Sequence, residues 1–141
     1  MKPAYVVDSS VFASILVKDE FYERALDFVR RFQGKVATVD FAVVEVANVL
    51  WKHVHLTRRI RGGAYAALKG AIKPLIYSAA VVFEADELLE DALDDAMRLG
   101  ITVYDSLYVT LALREGCKLA TFDERLLAQL AAKGLDVATS P

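Results

Sequence analysis

Short apolar runs alternate with segments of helical periodicity along the chain, and this alternation limits the fold more than any other feature. The run Ala4-Tyr5-Val6-Val7 is typical of a buried strand. Further strands are predicted at residues 36–39, 78–83, 117–122 and 135–138. Because strands that alternate with helices form parallel sheets with helices on both faces, the sequence predicts an α/β fold with a parallel sheet.

Glycine and proline mark where several of the intervening helices are expected to end. The glycines in question are Gly34, Gly100, Gly116 and Gly134. The helix that begins at Phe41 is predicted to reach His55, and the next helix is predicted to stop near Pro74. Since the chain has no repeat, linker or low-complexity tract, residues 1–141 are expected to form a single domain.

Composition excludes several classes of protein. A net charge of −2 gives no general sign of a non-specific nucleic-acid binder, although an enzyme acting on nucleic acid needs only a local basic strip. One cysteine, Cys117, excludes an internal disulfide and a cysteine zinc site, and fits a reducing compartment. No apolar run approaches the ~20 residues of a membrane helix, and Met1-Lys2-Pro3 is too short a lead for a signal peptide. We therefore expect a cytoplasmic protein without a membrane segment.

Two carboxylates directly follow predicted strands. Asp8 ends the first strand, with Ser9 and Ser10 after it, and Asp123 ends the fourth strand, two residues after Thr121. Ligands of open α/β sheets bind at the carboxyl ends of the strands, so the two acids meet in one crevice if these strands are neighbours. Taken alone, Asp8 is equally well explained as the N-cap of the next helix.

Two further acids lie on predicted helices. Glu45 interrupts a strongly apolar helix, and Asn48 lies one turn further on the same face. A carboxylate in such a helix is costly to bury unless it is paired or binds a cation, but it is also explained as a solvent-facing residue. Asp105 opens a helix, where an acid commonly serves as a cap.

Taken together, the acids Asp8, Glu45, Asp105 and Asp123 indicate a cation site. Carboxylates that share one cleft repel each other, and a divalent ion relieves the repulsion. Oxygen ligands without His or Cys suit Mg²⁺ or Mn²⁺, and such ions can promote hydrolysis of a phosphodiester. The only histidines, His53 and His55, are two residues apart on a helix and do not form a catalytic pair.

Other α/β proteins with acidic pockets fit the sequence less well. A response-regulator receiver has adjacent acids after its first strand, whereas hydroxyls follow Asp8 here. A haloacid-dehalogenase-like phosphatase needs a second acid at the position of Ser10. A dinucleotide-binding domain needs a glycine-rich turn after the first strand, and the chain has none.

The order and setting of four segments resemble the PIN-domain family, and the small size resembles its VapC-type toxins. The segments are Val7-Asp8-Ser9-Ser10, Glu45-Val46-Ala47-Asn48, Tyr104-Asp105-Ser106-Leu107 and Thr121-Phe122-Asp123-Glu124. The resemblance covers essentially the whole chain. It implies a three-layer α/β/α sandwich with a central parallel sheet, and a ribonuclease that depends on Mg²⁺ or Mn²⁺.

The resemblance also implies roles and partners. Asp8, Glu45, Asp105 and Asp123 match the acidic quartet of the family, while Ser9 and Thr121 match hydroxyls beside the first and last acids. Together with Asn48, these hydroxyls are expected to support the ion-binding carboxylates through hydrogen bonds. An RNA substrate, a homodimer and an antitoxin that enters the active-site groove are further expectations. The alternative is a PIN-like module that binds RNA or protein without cutting.

A basic segment provides a candidate path for RNA. Arg58, Arg59 and Arg61 cluster beside a glycine pair, with Lys52 before them and Lys69 and Lys73 after them. A solvated helix face explains this cluster equally well. Tyr65, Tyr104 and Tyr108 could stack on unpaired bases, but Tyr104 and Tyr108 are predicted to lie in the core because of their helical spacing.

Overall fold

A single sheet of five parallel strands organises the chain. The structure is a computed structural model that describes residues 2–141, so Met1, where the predicted domain begins, lies outside the described residues. The strands are β1 (Tyr5–Val7), β2 (Val36–Val39), β3 (Val81–Phe83), β4 (Lys118–Ala120) and β5 (Ala138–Thr139). The helices are α1 (Ser9–Val17), α2 (Tyr22–Arg31), α3 (Phe41–Trp51), α4 (Gly62–Ala79), α5 (Ala85–Leu99), α6 (Val103–Glu115) and α7 (Glu124–Ala132).

The strand order β3-β2-β1-β4-β5 places the first strand in the centre of the sheet. Tyr5 pairs with Val36 of β2 on one side, and Val7 pairs with Ala120 of β4 on the other. β2 and β3 are added on one side of β1, whereas β4 and β5 are added on the other side. The topological switch point therefore lies between β1 and β4. The predicted parallel sheet within a three-layer α/β/α sandwich is confirmed.

Helices cover the sheet and enclose its apolar strands. On one side α1 packs against α2, α3 and α4, while α6 pairs with α5 and lies along β1, β2 and β4. Because α6 is enclosed in this way, its residues from Ser106 to Ala112 are all buried. Among the described residues 2–141, none of the helices combines the length and the apolarity needed to span a membrane.

The fourth helix is longer than predicted. α4 continues through Pro74 to Ala79, so residues 78–80 are not part of a strand and β3 begins only at Val81. Proline in a helix costs a backbone hydrogen bond. Burial of Ile72 and Ile76, one on each side of Pro74, holds both halves of the helix against the core and outweighs that cost.

Several helix ends also differ from the prediction. α3 ends at Trp51, and a π-helical turn over residues 52–56 continues it. The cap of α6 is Thr102, whose hydroxyl accepts a hydrogen bond from the amide of Asp105, so α6 begins before Asp105. The side chain of Asp40, which directly precedes α3, accepts the amide hydrogen bond of Ala85 at the start of α5. The last strand lies at residues 138–139, later than predicted.

Candidate active site

Asp8 is a buried carboxylate at the carboxyl end of the central strand. Its side chain is only 6% exposed, and it caps α1 by accepting the amide hydrogen bond of Ser10 at 3.0 Å. The hydroxyl of Ser10 donates to the same oxygen, Oδ1, and the hydroxyl of Thr121 donates to Oδ2. Asp8 is thus a helix cap, but both oxygens are also oriented by hydroxyls from two different strand ends.

The end of β4 is tied to this carboxylate. Thr121 Oγ1 accepts the amide of Asp123 at 3.0 Å while it donates to Asp8, and Ser10 Oγ accepts the amide of Phe122 at 3.0 Å. Asp123 itself caps α7, because its Oδ1 accepts the amide of Leu126 at 3.1 Å. A continuous set of hydrogen bonds therefore fixes Asp8 and Asp123 relative to each other across the switch point.

Glu45 reaches the same region from α3. It is partly buried, and the hydroxyl of Tyr108 on α6 donates a hydrogen bond to its Oε1. Glu45 lines a groove together with Ser9, Asn48 and Lys52. Ser9 thus lies on the side of Glu45, whereas Ser10 is the serine that holds Asp8.

The electrostatics indicate that the carboxylates are neighbours in one string. Burial raises the pKa of Asp8 to about 7, and the charge of Glu45 contributes to the increase. Burial raises the pKa of Glu45, with a further increase from Asp105, and burial likewise raises the pKa of Asp105, with a further increase from Asp123. The charge of each acid therefore raises the pKa of its neighbour, as expected for carboxylates that share a cleft.

The string does not form a closed ligand cage. Within residues 2–141, no three Asp, Glu, His or Cys side chains converge closely enough to hold a metal ion as they stand. The donor set nevertheless fits a hard divalent cation, because it consists of carboxylates that disfavour one another's charge. In the arrangement that the structure describes, such an ion would contact at most two of these side chains directly and the others through water.

The basic segment lies on the surface beyond α3. Arg58, Arg59 and Arg61 are all exposed, while Lys52 lines the groove that contains Glu45. Lys69 and Tyr65 line a different groove, between α3 and α4. Of the predicted basic strip, Lys52 is the residue that lines the same groove as Glu45.

The two tyrosines of α6 have opposite environments. Tyr108 is 1% exposed and lies in the core, as predicted, although its hydroxyl serves Glu45. Tyr104 is 59% exposed, so its predicted core position is wrong. Tyr104 lies in the first turn of α6, beyond the edge of the core that Tyr108 reaches one turn later.

Two contacts of the site were not predicted from the sequence. Tyr108 donates a hydrogen bond to Glu45, and the positive charge of Arg125 opposes the increase in the pKa of Asp105 that burial causes. The two hydrogen bonds from Ser10 to Asp8 could be expected, because Ser10 is a hydroxyl residue that closely follows Asp8 in the sequence. Tyr108 and Arg125 gave no signal in the sequence, since only the packing of α6 and α7 brings them to the acids.

A sequence model of the PIN domain matches residues 5–133 of the chain. The chain belongs to the PIN domain family. Ribonuclease VapC3 of Pyrobaculum aerophilum is 38% identical over 121 residues, which are 86% of this chain and 90% of that protein. Exonuclease VapC9 of the same organism is 30% identical over 129 residues, which are 92% of this chain and 87% of that protein. The resemblance to VapC-type members of the family is therefore confirmed.

Among solved structures, PAE2754 from Pyrobaculum aerophilum superimposes with a TM-score of 0.73 at 27% identity. The match covers 99% of this chain and 92% of that one. The PIN fold thus accounts for nearly the full length of the chain.

Tyr108→Phe tests the contact between α6 and Glu45. Loss of the hydroxyl leaves the Glu45 carboxylate without its oriented donor, and we expect RNA cleavage to fall about 10-fold. Stability should change little, because the ring stays buried. The measurement is kcat and the apparent Mg²⁺ affinity, and an unchanged kcat at every Mg²⁺ concentration would exclude a positioning role. Tyr77→Phe, on the exposed face of α4, is the matched control.

Proposed function

We propose that this PIN domain is a divalent-metal-dependent endoribonuclease and the toxin of a toxin–antitoxin pair. The observation that carries the proposal is the string of carboxylates Asp8, Glu45, Asp105 and Asp123 at the switch point of the sheet. Sequence similarity to Ribonuclease VapC3 over most of both chains supports hydrolysis of RNA. We also propose that residues 1–141 act as a single domain in the cytoplasm.

We assign the ion-binding role to the four acids, with Mg²⁺ or Mn²⁺ as the ion. A bound ion of this kind supplies Lewis acidity, which makes water a better nucleophile and stabilises the charge of the phosphodiester. Ser10 and Thr121 hold the two oxygens of Asp8 in fixed directions, and Tyr108 does the same for one oxygen of Glu45. Ser9 and Asn48 line the groove beside Glu45, and we assign them the same supporting role.

Positive charge beside the acids would hold the substrate. Lys52 lines the groove and can neutralise a backbone phosphate next to Glu45. Arg58, Arg59 and Arg61 are exposed beyond the π-helical turn, and we assign them to the RNA track. Because these contacts are to phosphate, they determine affinity and not the sequence that is cut.

The direct test is cleavage of single-stranded RNA with Mg²⁺, with Mn²⁺ and with EDTA. Activity should need a divalent ion. A linear strand and its circular form separate the two modes of cutting, because only an endonuclease can open a circle. This comparison matters because one relative is named a ribonuclease and another an exonuclease. Binding of RNA without cutting under any ion would favour the alternative of a non-catalytic module.

Arg58→Gly separates RNA binding from stability. Arg58 has a φ of 55°, a left-handed conformation that strains a non-glycine residue and suits glycine. We therefore expect Arg58→Gly to fold as stably as the parent but to bind RNA more weakly, with a salt slope smaller by about 1.

Lys18→Gly is the matched control for this change. Lys18 has a φ of 53° at the end of α1, so the substitution removes the same charge and the same strain away from the basic segment. RNA binding should then remain unchanged. Equal effects of the two substitutions on affinity and salt slope would remove Arg58 from the RNA track.

We further propose that the protein forms a homodimer and that its antitoxin covers the active-site groove. An apolar stripe on α5 supports the dimer, since Leu89, Leu93 and Met97 are spaced four residues apart and are 48%, 50% and 80% exposed. Leu93→Glu should therefore yield a monomer in sedimentation at micromolar concentration. Leu113→Glu, an exposed leucine on α6, is the control, and a dimer that survived Leu93→Glu would exclude α5 as the interface.

A further inference from the structure

Tyr104 is an exposed aromatic residue beside the acids of the candidate active site. It directly precedes Asp105, and its side chain lines the same groove as Glu45 and Lys52. The ring is 59% exposed, so burial does not explain its position. A large aromatic surface left open in a groove that also contains charged side chains is typical of a site that binds a flat ligand.

Phe41 holds this ring in a fixed orientation. The Phe41 and Tyr104 rings stack with centroids 5.2 Å apart and planes 11° from parallel. One face of Tyr104 is therefore covered, and the opposite face remains accessible. A ring fixed in advance loses little conformational freedom when a second flat group stacks on it.

One face of α3, together with the π-helical turn that continues it, supplies polar groups along the groove. Phe41, Glu45, Asn48 and Lys52 recur at intervals of three to four residues, and all four line the groove with Tyr104. Seven residues separate Glu45 from Lys52, which corresponds to about 10 Å along the helix. The groove thus offers an aromatic face, a carboxylate and an ammonium group in a row.

We propose that Tyr104 is a stacking platform for an unpaired RNA base next to the scissile phosphate, with Lys52 on the phosphate backbone. This proposal rests on the proposed function. Bases of an A-form duplex are stacked on each other and do not reach a ring in a groove, whereas the bases of a single strand can be splayed onto it. The site therefore takes single-stranded RNA and rejects the same sequence in a duplex. Because every base has a π face, Tyr104 itself adds little sequence preference.

The test compares Tyr104→Leu and Tyr104→Phe on a single-stranded RNA whose cleavage position is known. Loss of stacking in Tyr104→Leu should raise KM and lower kcat/KM about 5- to 100-fold with little change in kcat. Tyr104→Phe keeps the ring and should retain the parent kcat/KM within about twofold. Tyr77→Leu, which changes an exposed tyrosine of α4 outside the groove, should have no effect.

Abasic RNA provides the second arm and needs no protein variant. One abasic nucleotide beside the cut should lower kcat/KM of the parent by the same factor, and Tyr104→Leu should then cause no further loss. The stacking role would be overturned if kcat/KM fell equally wherever the abasic nucleotide was placed in the strand. It would also be overturned if Tyr104→Phe lowered kcat/KM as much as Tyr104→Leu. Parent protein that cuts no RNA would overturn the proposed function itself, whereas active Tyr104→Leu with parent kcat/KM would overturn only the platform.

Discussion

Asp8→Asn should abolish RNA cleavage while the protein remains folded. Asp8 is held by Ser10 and Thr121 at the meeting point of β1 and β4, so an amide there keeps the shape and removes the charge that we propose binds an ion. Loss of a supporting residue of a metal site already costs 10- to 100-fold, and loss of a ligand should exceed about 100-fold. The measurement is single-turnover cleavage at saturating Mg²⁺, with circular dichroism to confirm the fold.

Asp136→Asn is the matched control for this substitution. Asp136 forms an exposed ion pair with Lys118, the first residue of β4, whereas Asp8 lies at the carboxyl ends of the strands. Loss of this ion pair should leave cleavage unchanged. Asp8→Asn that retains more than a tenth of the parent rate would place the ion-binding role elsewhere in the chain.

Without divalent ions, the protein should lose stability as the pH rises from 5 to 8. Asp8 has a pKa of about 7 in the folded protein and an ordinary value of 3.8, so between these values the unfolded chain releases a proton that the folded protein keeps. Asp8 therefore does not lower the free energy of unfolding below pH 3.8. The free energy of unfolding falls progressively above that pH, and the loss is complete above pH 7. Over the whole range the loss amounts to about 4 kcal/mol, of which roughly 3 kcal/mol falls between pH 5 and 8, or roughly 10 °C in melting temperature for a domain of this size.

Asp8→Asn and metal ions should both remove much of this pH dependence. The substitution removes the buried charge, so the melting temperature at pH 8 should rise above that of the parent without metal. Mg²⁺ or Mn²⁺ should stabilise the parent more at pH 8 than at pH 5.5, because only the ionised carboxylates bind it. Melting curves of parent and variant that change in parallel with pH would contradict the assignment of the effect to Asp8.

The sequence was sufficient for the sheet and for the positions of Asp8 and Asp123 at strand ends, because both depend on local patterns. Short apolar runs that end in a carboxylate place Asp8 and Asp123 at strand ends, and the alternation of strands and helices brings those ends to one edge. The local rule failed at Pro74, where the packing of Ile72 and Ile76 on the core continues the helix. A proline rule cannot include contacts with residues that are distant in the sequence.

The burial of the two tyrosines and the placement of the basic residues could not be predicted, because both depend on tertiary packing. Helical spacing places Tyr104 and Tyr108 on the same face of α6. Whether each ring is buried depends on how far its helical turn extends into the core, so Tyr108 is buried and Tyr104 lines the groove. The sequence shows that the cluster is positively charged, but it does not show which side of the protein these side chains face. Among those cations, Lys52 lines the groove with Glu45, because the π-helical turn that continues α3 places it there.

The hydrogen bond between Thr121 and Asp8 joins residues that are 113 positions apart in the chain. During synthesis on the ribosome, Asp8 is therefore made well before Thr121, which follows it by 113 residues. The hydrogen bonds that orient Asp8 cannot all form on a nascent chain shorter than this segment. We therefore expect shorter nascent chains to lack the assembled acidic centre.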